Sequence, residues 1–150
     1  MKYVNKYWGF EFDLPPGWSE PGILKRQLSP GRYAHQKTQP EFYGPGDASI
    51  KFAIGPVSPE PSVKQQQKIL ETNAQTSGHG VIEIGTISVG GKNHATIMCN
   101  ISGIGALKHY SVIFDAVEYL VTARGNWQEC DSIVRSIKVN RRGLPEKESM

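Results

Sequence analysis

Only two cysteines, Cys99 and Cys130, occur in the 150 residues, and their spacing fits no metal-binding pattern. A disulfide scaffold and a zinc module are thereby excluded, and each cysteine lies in an apolar pattern that reads as a buried free thiol. No apolar run approaches the roughly 20 residues that a membrane-spanning helix needs. Charge of one sign is missing as well. Seventeen Lys and Arg against fourteen Asp and Glu leave a net +3, and the basic residues are scattered where a nucleic-acid binder concentrates them in a stripe. The densest basic group, Arg141 and Arg142, shares its tail with Glu146 and Glu148, so nucleic acid is set aside as a partner.

Motifs of catalysis are absent too. There is no GxSxG, no GxxxxGK[ST] and no GxGxxG between a strand and a helix; the Gly-Ile-Gly at 103–105 reads as a reversal between strands and lacks the helix N-terminus that would hold phosphate. No nucleophile can be paired with a base, so the chain reads as non-enzymatic, without a cofactor. The opening MKYVNKYWGF meets charged and turn residues before an apolar segment of signal-peptide length can form. A cytoplasmic location is the expectation, although a trimmed export signal would leave no trace.

What is present is the material of one domain. A hydrophobic fraction of 38% with 21% charged residues is that of an ordinary soluble globular protein, and this length buries roughly two thirds of the surface that the unfolded chain exposes. In GFEFDLPPGW, Phe10, Phe12 and Leu14 alternate with Glu11 and Asp13, a strand with one buried face. Pro15 and Pro16 forbid further ladder pairing and Gly17 reverses the chain, which delivers Trp18 to the edge of the core. Residues 23–28 are compatible with a strand. Residues 29–47, dense in Pro and Gly, read as a long loop with a short strand near 33–38. Strand alternation resumes at 48–57, with Ile50, Phe52 and Ile54 on one face.

Pro61 and Ser62 then open a helix, with Ser62 as N-cap, Val63, Ile69, Leu70 and Ala74 as its buried stripe, and Ser77 with Gly78 at its end. Residues 81–124 read as a four-stranded meander with turns at Gly90–Gly91, Gly103–Gly105 and Asp115–Ala116. These turns predict that Ala95, Ile97, Cys99 and Ile101 share a face with Tyr110, Val112, Phe114, Val117, Tyr119 and Val121. A second helix begins at Asn126, with Glu129 three residues on in a capping-box-like arrangement, and Trp127, Cys130, Ile133, Val134 and Ile137 form its apolar stripe. Residues 1–139 form the expected single domain. Residues 140–150, NRRGLPEKESM, show no periodicity and are expected to be a flexible tail.

This order of elements resembles the PsbP-like family. The resemblance rests on Gly9, Phe10, Phe12, Leu14, Pro15, Gly17 and Trp18 in the opening motif, on Gly91 and Ala95 in GGKNHA, and on Ser132, Ile133 and Ser136 in the closing SIVRSIKV. It implies an α+β fold, a central antiparallel sheet of about six to seven strands with helices on both faces, shared by a photosystem II extrinsic subunit, a Ran-binding nuclear transport factor, bacterial lipoproteins and secretion-effector chaperones. The motif residues are scaffold, so the resemblance transfers no active site; it points to a binding or adaptor role.

Four histidines, His35, His79, His94 and His109, raise the question of a metal. The expected turn places His94 opposite about Ile113 and His109 opposite about Met98, too far apart to share an ion held at about 2 Å per bond. Cys130 near a helix N-terminus invites a thiolate reading, but Glu129 and Asp131 beside it oppose the negative charge, and its place in the apolar stripe is one of packing. Aromatic residues remain. Tyr7 and Trp8 precede the first strand, Trp18 follows it, and Tyr33, Phe42 and Tyr43 lie in the long loop, where they either plug the end of the sheet or offer a recognition surface. A protein or peptide partner bound through the 29–47 loop and the adjoining sheet edge is the expected function. The alternative is a carrier of a small apolar ligand or lipid, with a cavity between sheet and helix.

Overall fold

The computed structural model describes residues 2–5, 8–19 and 40–140. Strands β1 (Lys2–Asn5) and β2 (Phe10–Asp13) pair antiparallel, and β9 (Lys138–Val139) lies on the other side of β2, giving a three-stranded sheet in the order β1-β2-β9. β2 behaves as its alternation demands, with Phe10 and Phe12 fully buried and Asp13 exposed. Asn140 continues the domain past β9: its backbone N–H donates to the Gly9 carbonyl at 2.7 Å and its side chain to Glu11 at 3.2 Å. The rest of the expected tail lies outside the described residues.

The larger sheet has six strands: β3 (Glu41–Tyr43), β4 (Ser49–Pro56), β5 (Gly80–Val89), β6 (Lys92–Ile101), β7 (Gly105–Phe114) and β8 (Val117–Arg124). All pairings are antiparallel, in the order β3-β4-β8-β7-β6-β5. Two tight hairpins set the meander. Gly90 and Gly91, at φ 60° and 75°, form the first, and Asp115 and Ala116, at φ 52° and 60°, form the second. Alanine in that left-handed region costs about 1–2 kcal/mol, which the β7–β8 ladder must overcome.

The small sheet and helix α2 (Trp127–Arg135) cover one face of the large sheet, and helix α1 (Val63–Thr76) covers part of the other. On the first face, Phe12 stacks on Phe52 with ring centres 5.1 Å apart, and Phe10 meets Tyr119 at 5.0 Å. Cys130, Ile133 and Val134 press from α2 onto the same core, so sheet, sheet and helix enclose one apolar volume. On the second face, Leu70 and Ala74 of α1 rest on Ala95 and Ile97, with Val81 and Leu120 packed at the margin. Helix α1 starts in a full capping box, in which Ser62 Oγ accepts from Gln65 N at 3.2 Å and Gln65 Oε1 accepts from Ser62 N at 2.8 Å. Its buried positions are Gln66, Leu70 and Ala74; Ile69, expected in the stripe, is half exposed.

The reason a glutamine displaces an isoleucine lies in the sheet. β6 and β7 pair from Ala95↔Ser111 to Ile101↔Gly105, and beyond Ala95 the two strands fork. Side chains replace the missing ladder. Gln66 donates to the Ser111 carbonyl at 3.0 Å and accepts from Ala95 N at 3.3 Å; His94 Nδ1 accepts from Ile113 N at 3.2 Å; and Lys92 Nζ donates to the Ile113 carbonyl at 3.2 Å. Each is a backbone group that would otherwise be buried without a partner, a loss of about 1–3 kcal/mol apiece.

The same register corrects the expected faces by one residue. His109 pairs with Ile97, not Met98, and Ala95 with Ser111. Ala95, Ile97 and Cys99 therefore share a face with Leu107, His109 and Ser111, under α1, while Tyr110, Val112 and Phe114 look into the opposite core with His94. Periodicity failed here because β6 is covered on both sides: His94, Ala95, Thr96 and Ile97 are all buried.

Candidate functional site

The corner where β2 ends shows what the double proline and tryptophan accomplish. Trp18 N donates to the Pro15 carbonyl at 3.3 Å across a turn in which Gly17 takes φ 90°. The indole then lies flat on Gly44, where an added Cβ would stand 2.7 Å from ring atoms Cδ2 and Cζ2. Indole Nε1 donates to Glu129 Oε2 at 3.1 Å, while Asn126 holds the other carboxylate oxygen at 3.0 Å and caps α2 by accepting from Glu129 N at 3.1 Å. One buried ring thus fastens the end of β2, the end of β3 and the first turn of α2.

The candidate aromatic residues divide. Trp8 and Trp18 are buried, and the Trp8 carbonyl accepts from Tyr119 Oη at 3.3 Å inside the core. Phe42 is 0% exposed and packs edge-on against Phe12 and Tyr3, so it belongs to the core and offers no surface to a partner. Its neighbour Tyr43 is 47% exposed. The short strand β3, at 41–43 within the stretch read as loop, separates them by strand alternation: Phe42 faces Ile50 inward, and Tyr43 faces Ser49 outward. Tyr7, Tyr33 and the strands expected at 23–28 and 33–38 lie outside the described residues.

Around Tyr43 the outward face of β3, β4 and β8 carries two cross-strand rows. One runs Glu41, Lys51, Thr122, His109; the other runs Tyr43, Ser49, Arg124. Lys51 is exposed diagonally beside Tyr43, and Arg124 reaches the carbonyl of Ile104 at 3.1 Å, which brings the exposed Ile104 to the margin of the same face. Partial desolvation, and then the charge and hydrogen bond of Glu41, push the Tyr43 hydroxyl above its ordinary range. It is a neutral donor at physiological pH. His109, bonded through Nδ1 to Thr122 Oγ1 at 3.0 Å, is held below the usual histidine value first by burial and then by His79. Among the described residues α1 stands over the β5–β7 side of this sheet face and leaves the β3–β4–β8 side open.

The densest polar cluster lies elsewhere. Asp131 accepts from Lys108 Nζ at 2.9 Å and from the hydroxyl of the fully buried Tyr110, whose pKa is raised first by burial and then by Asp131. Both donors converge on one oxygen of this carboxylate, and with the phenol enclosed the cluster fastens α2 to β7. Cys130 is enclosed too, its thiol pushed up to about 12 by burial and by Asp131 and Glu129. That is the reverse of an activated thiolate. His94 bridges Ile113 N and the Val89 carbonyl, and burial lowers its pKa. Among the described residues no group of three or more His, Cys, Asp or Glu is placed to hold a metal, and no helix is long and apolar enough to cross a membrane. Between sheet and α1, where a carrier would need a cavity, Gln66, Leu70 and Ala74 pack on Ala95, Ile97 and Ser111.

The whole described architecture, a six-stranded antiparallel sheet between α1 on one side and a small sheet with α2 on the other, superposes on known structures. The crystal structure of the Saccharomyces cerevisiae Ran-binding protein Mog1p matches with a TM-score of 0.61 at 12% identity, over 93% of this chain and 94% of that one. Cyanobacterial PsbP (CyanoP) from Synechocystis sp. PCC 6803 matches at 0.59 and 14% identity, over 93% and 91%. The fold is PsbP-like. A Bacteroides thetaiotaomicron protein carries the same fold in 48% of its length, at a TM-score of 0.56 and 11% identity. No protein-family model and no curated protein sequence matches the chain. The PsbP-like scaffold accounts for Phe10, Phe12 and Trp18, which close the core. The open face around Tyr43 was not legible in the sequence; the one available signal was the alternation Glu-Phe-Tyr within a loop-like composition.

Proposed function

We propose that this PsbP-like domain is a non-enzymatic binding module that takes a protein partner on the open face of β3, β4 and β8. The observation that carries the reading is the exposure of Tyr43, at 47%, beside the wholly buried Phe42. A rigid strand presents a tyrosine to solvent on a face of mixed charge. Tyrosine is enriched among residues that dominate protein interfaces, because it brings large area and a hydrogen bond at small entropic cost. Lys51, Arg124 and Glu41 mix both signs around it, which suits a polar interface rim and disfavours a polyanion. The similarity to a protein described as Ran-binding supports protein recognition as the class of function.

The test uses the full chain immobilised for capture, followed by mass spectrometry. Tyr43→Ala combined with Lys51→Glu is expected to lose the partner that wild type retains, with the thermal midpoint moved by only a few degrees because both side chains face solvent. Undiminished capture by the double variant would refute the assignment of this face.

A further inference from the structure

The two edges of the large sheet are unequally guarded. β3 is three residues long, and at Tyr43 its outer side is occupied by Ser19, which exchanges N–H···O bonds with it at 2.9 Å in both directions. β5 is ten residues long, and among the described residues no strand pairs with its outer side. Edge strands are ordinarily blunted by bulges, lysines or prolines. In β5 the bulge between Val81 and Glu83 and the charge of Glu83 guard only the first half. From Ile84 to Ser88 the strand has no charge and no proline, and Ile82 and Ile84 are 57% and 40% exposed. The tight Gly90–Gly91 turn makes Val89 and Lys92 a hydrogen-bonded pair, so alternation along the ladder leaves the amides and carbonyls of Ser88, Thr86 and Ile84 pointing outward.

We propose that β5 pairs antiparallel with β5 of a second copy of this chain, about a two-fold axis at Gly85, joining the two six-stranded sheets into one. Outward main-chain groups that no described strand pairs with call for another strand, and charge selects which. Gln67 Nε2 donates to the Gly85 carbonyl at 3.0 Å, so an axis through Gly85 passes α1 at Gln67. Lys64 and Glu71 lie three residues before and four after Gln67, on the same flank of the helix. The axis therefore carries Lys64 of each copy to Glu71 of the other. Within its own helix Glu71 meets Lys68 at 3.6 Å, an exposed pair of little strength. The same axis sets Ile84 opposite Thr86 and keeps the two Glu83 side chains apart, each opposite Ile87. A lasting dimer buries about 1,000 Å² or more, beyond what two isoleucines supply, so the helix flanks are a necessary part of the contact. This surface is separate from the face around Tyr43.

Sedimentation equilibrium over micromolar to several hundred micromolar protein tests the pairing. Wild type is expected to dimerise, Lys64→Glu to weaken the dimer about tenfold or more, and Lys64→Glu with Glu71→Lys to restore it. Thr86→Pro is expected to abolish dimerisation while leaving the fold intact by circular dichroism, since the N–H it removes faces outward and serves no ladder bond within the chain. A wild type that stays monomeric throughout, a dimer indifferent to Lys64→Glu, a swap that fails to restore it, or a dimer that survives Thr86→Pro would each overturn the proposal.

Discussion

Substituting Gly44 by alanine isolates the contact that holds the Trp18 corner together. The new Cβ would stand 2.7 Å from two atoms of the indole, whereas carbon atoms rest about 3.5–4.0 Å apart. The ring cannot retreat freely, since Nε1 is tied to Glu129 and the indole is 5% exposed. Overpacking of this kind costs about 1–3 kcal/mol. Trp18→Ala by itself removes a large buried aromatic, at about 3–5 kcal/mol. The two penalties do not add. With the indole gone the Cβ has room, and Gly44 does not occupy the left-handed region, so alanine there is neutral or gains about 0.4–1 kcal/mol by restricting the unfolded chain. The double-mutant cycle is expected to give a coupling of about 1–3 kcal/mol, read by urea denaturation followed by far-ultraviolet circular dichroism. With an m-value of about 1–3 kcal/mol/M, Gly44→Ala lowers the midpoint by about 1 M in the wild-type background and hardly at all beside Trp18→Ala. Equal penalties for Gly44→Ala in both backgrounds would refute the packing of ring on backbone.

Stability should depend on pH through His94. Burial lowers its folded-state pKa beneath the ordinary 6.5, so the unfolded chain takes up the proton first; the contribution is full above about pH 6.5 and is lost as pH falls toward the depressed folded value. His109 acts in the same sense, so His94→Gln should flatten the slope of unfolding free energy between pH 7.5 and 5 in part, and an unchanged slope would show that His94 is not the neutral acceptor for Ile113 N. Both cysteines are buried free thiols with raised pKa values. A thiol reagent should therefore react with neither in the native protein and with both after denaturation without reductant, while an intact mass lower by the two hydrogens of a disulfide would contradict this.

The PsbP-like scaffold explains why so many distinctive residues are buried. Phe10, Phe12, Trp18, Phe42 and Tyr119 are large because the volume between two sheets must be filled. On β3 and β4 the opposite side of the strands meets solvent. Tyr43 and Lys51 are such positions, each one residue removed from a core aromatic or aliphatic side chain.

Elements governed by short-range physics were legible in the chain itself. The Gly90–Gly91 hairpin, the Ser62 cap, the Gly78 stop at φ 76° and the Asn126 start of α2 each depend on backbone conformations or hydrogen bonds closed within a few residues. The alternation of Phe10 with Glu11, and of Ile50 with Lys51, likewise announced strands with one wet face. Tertiary structure alone decided the rest. The register of β7 against β6 turns on which face α1 covers, and a strand buried on both sides carries no period to reveal it. Gln66 is buried and Ile69 exposed because two strands fork beneath the helix, a demand for hydrogen bonds that no helical periodicity encodes. Phe42 and Tyr43, neighbours of similar chemistry, were assigned opposite fates by one β-ladder to Ile50 and Ser49. The identity of each side chain is local, but whether it meets core or water is settled by chain segments distant in sequence.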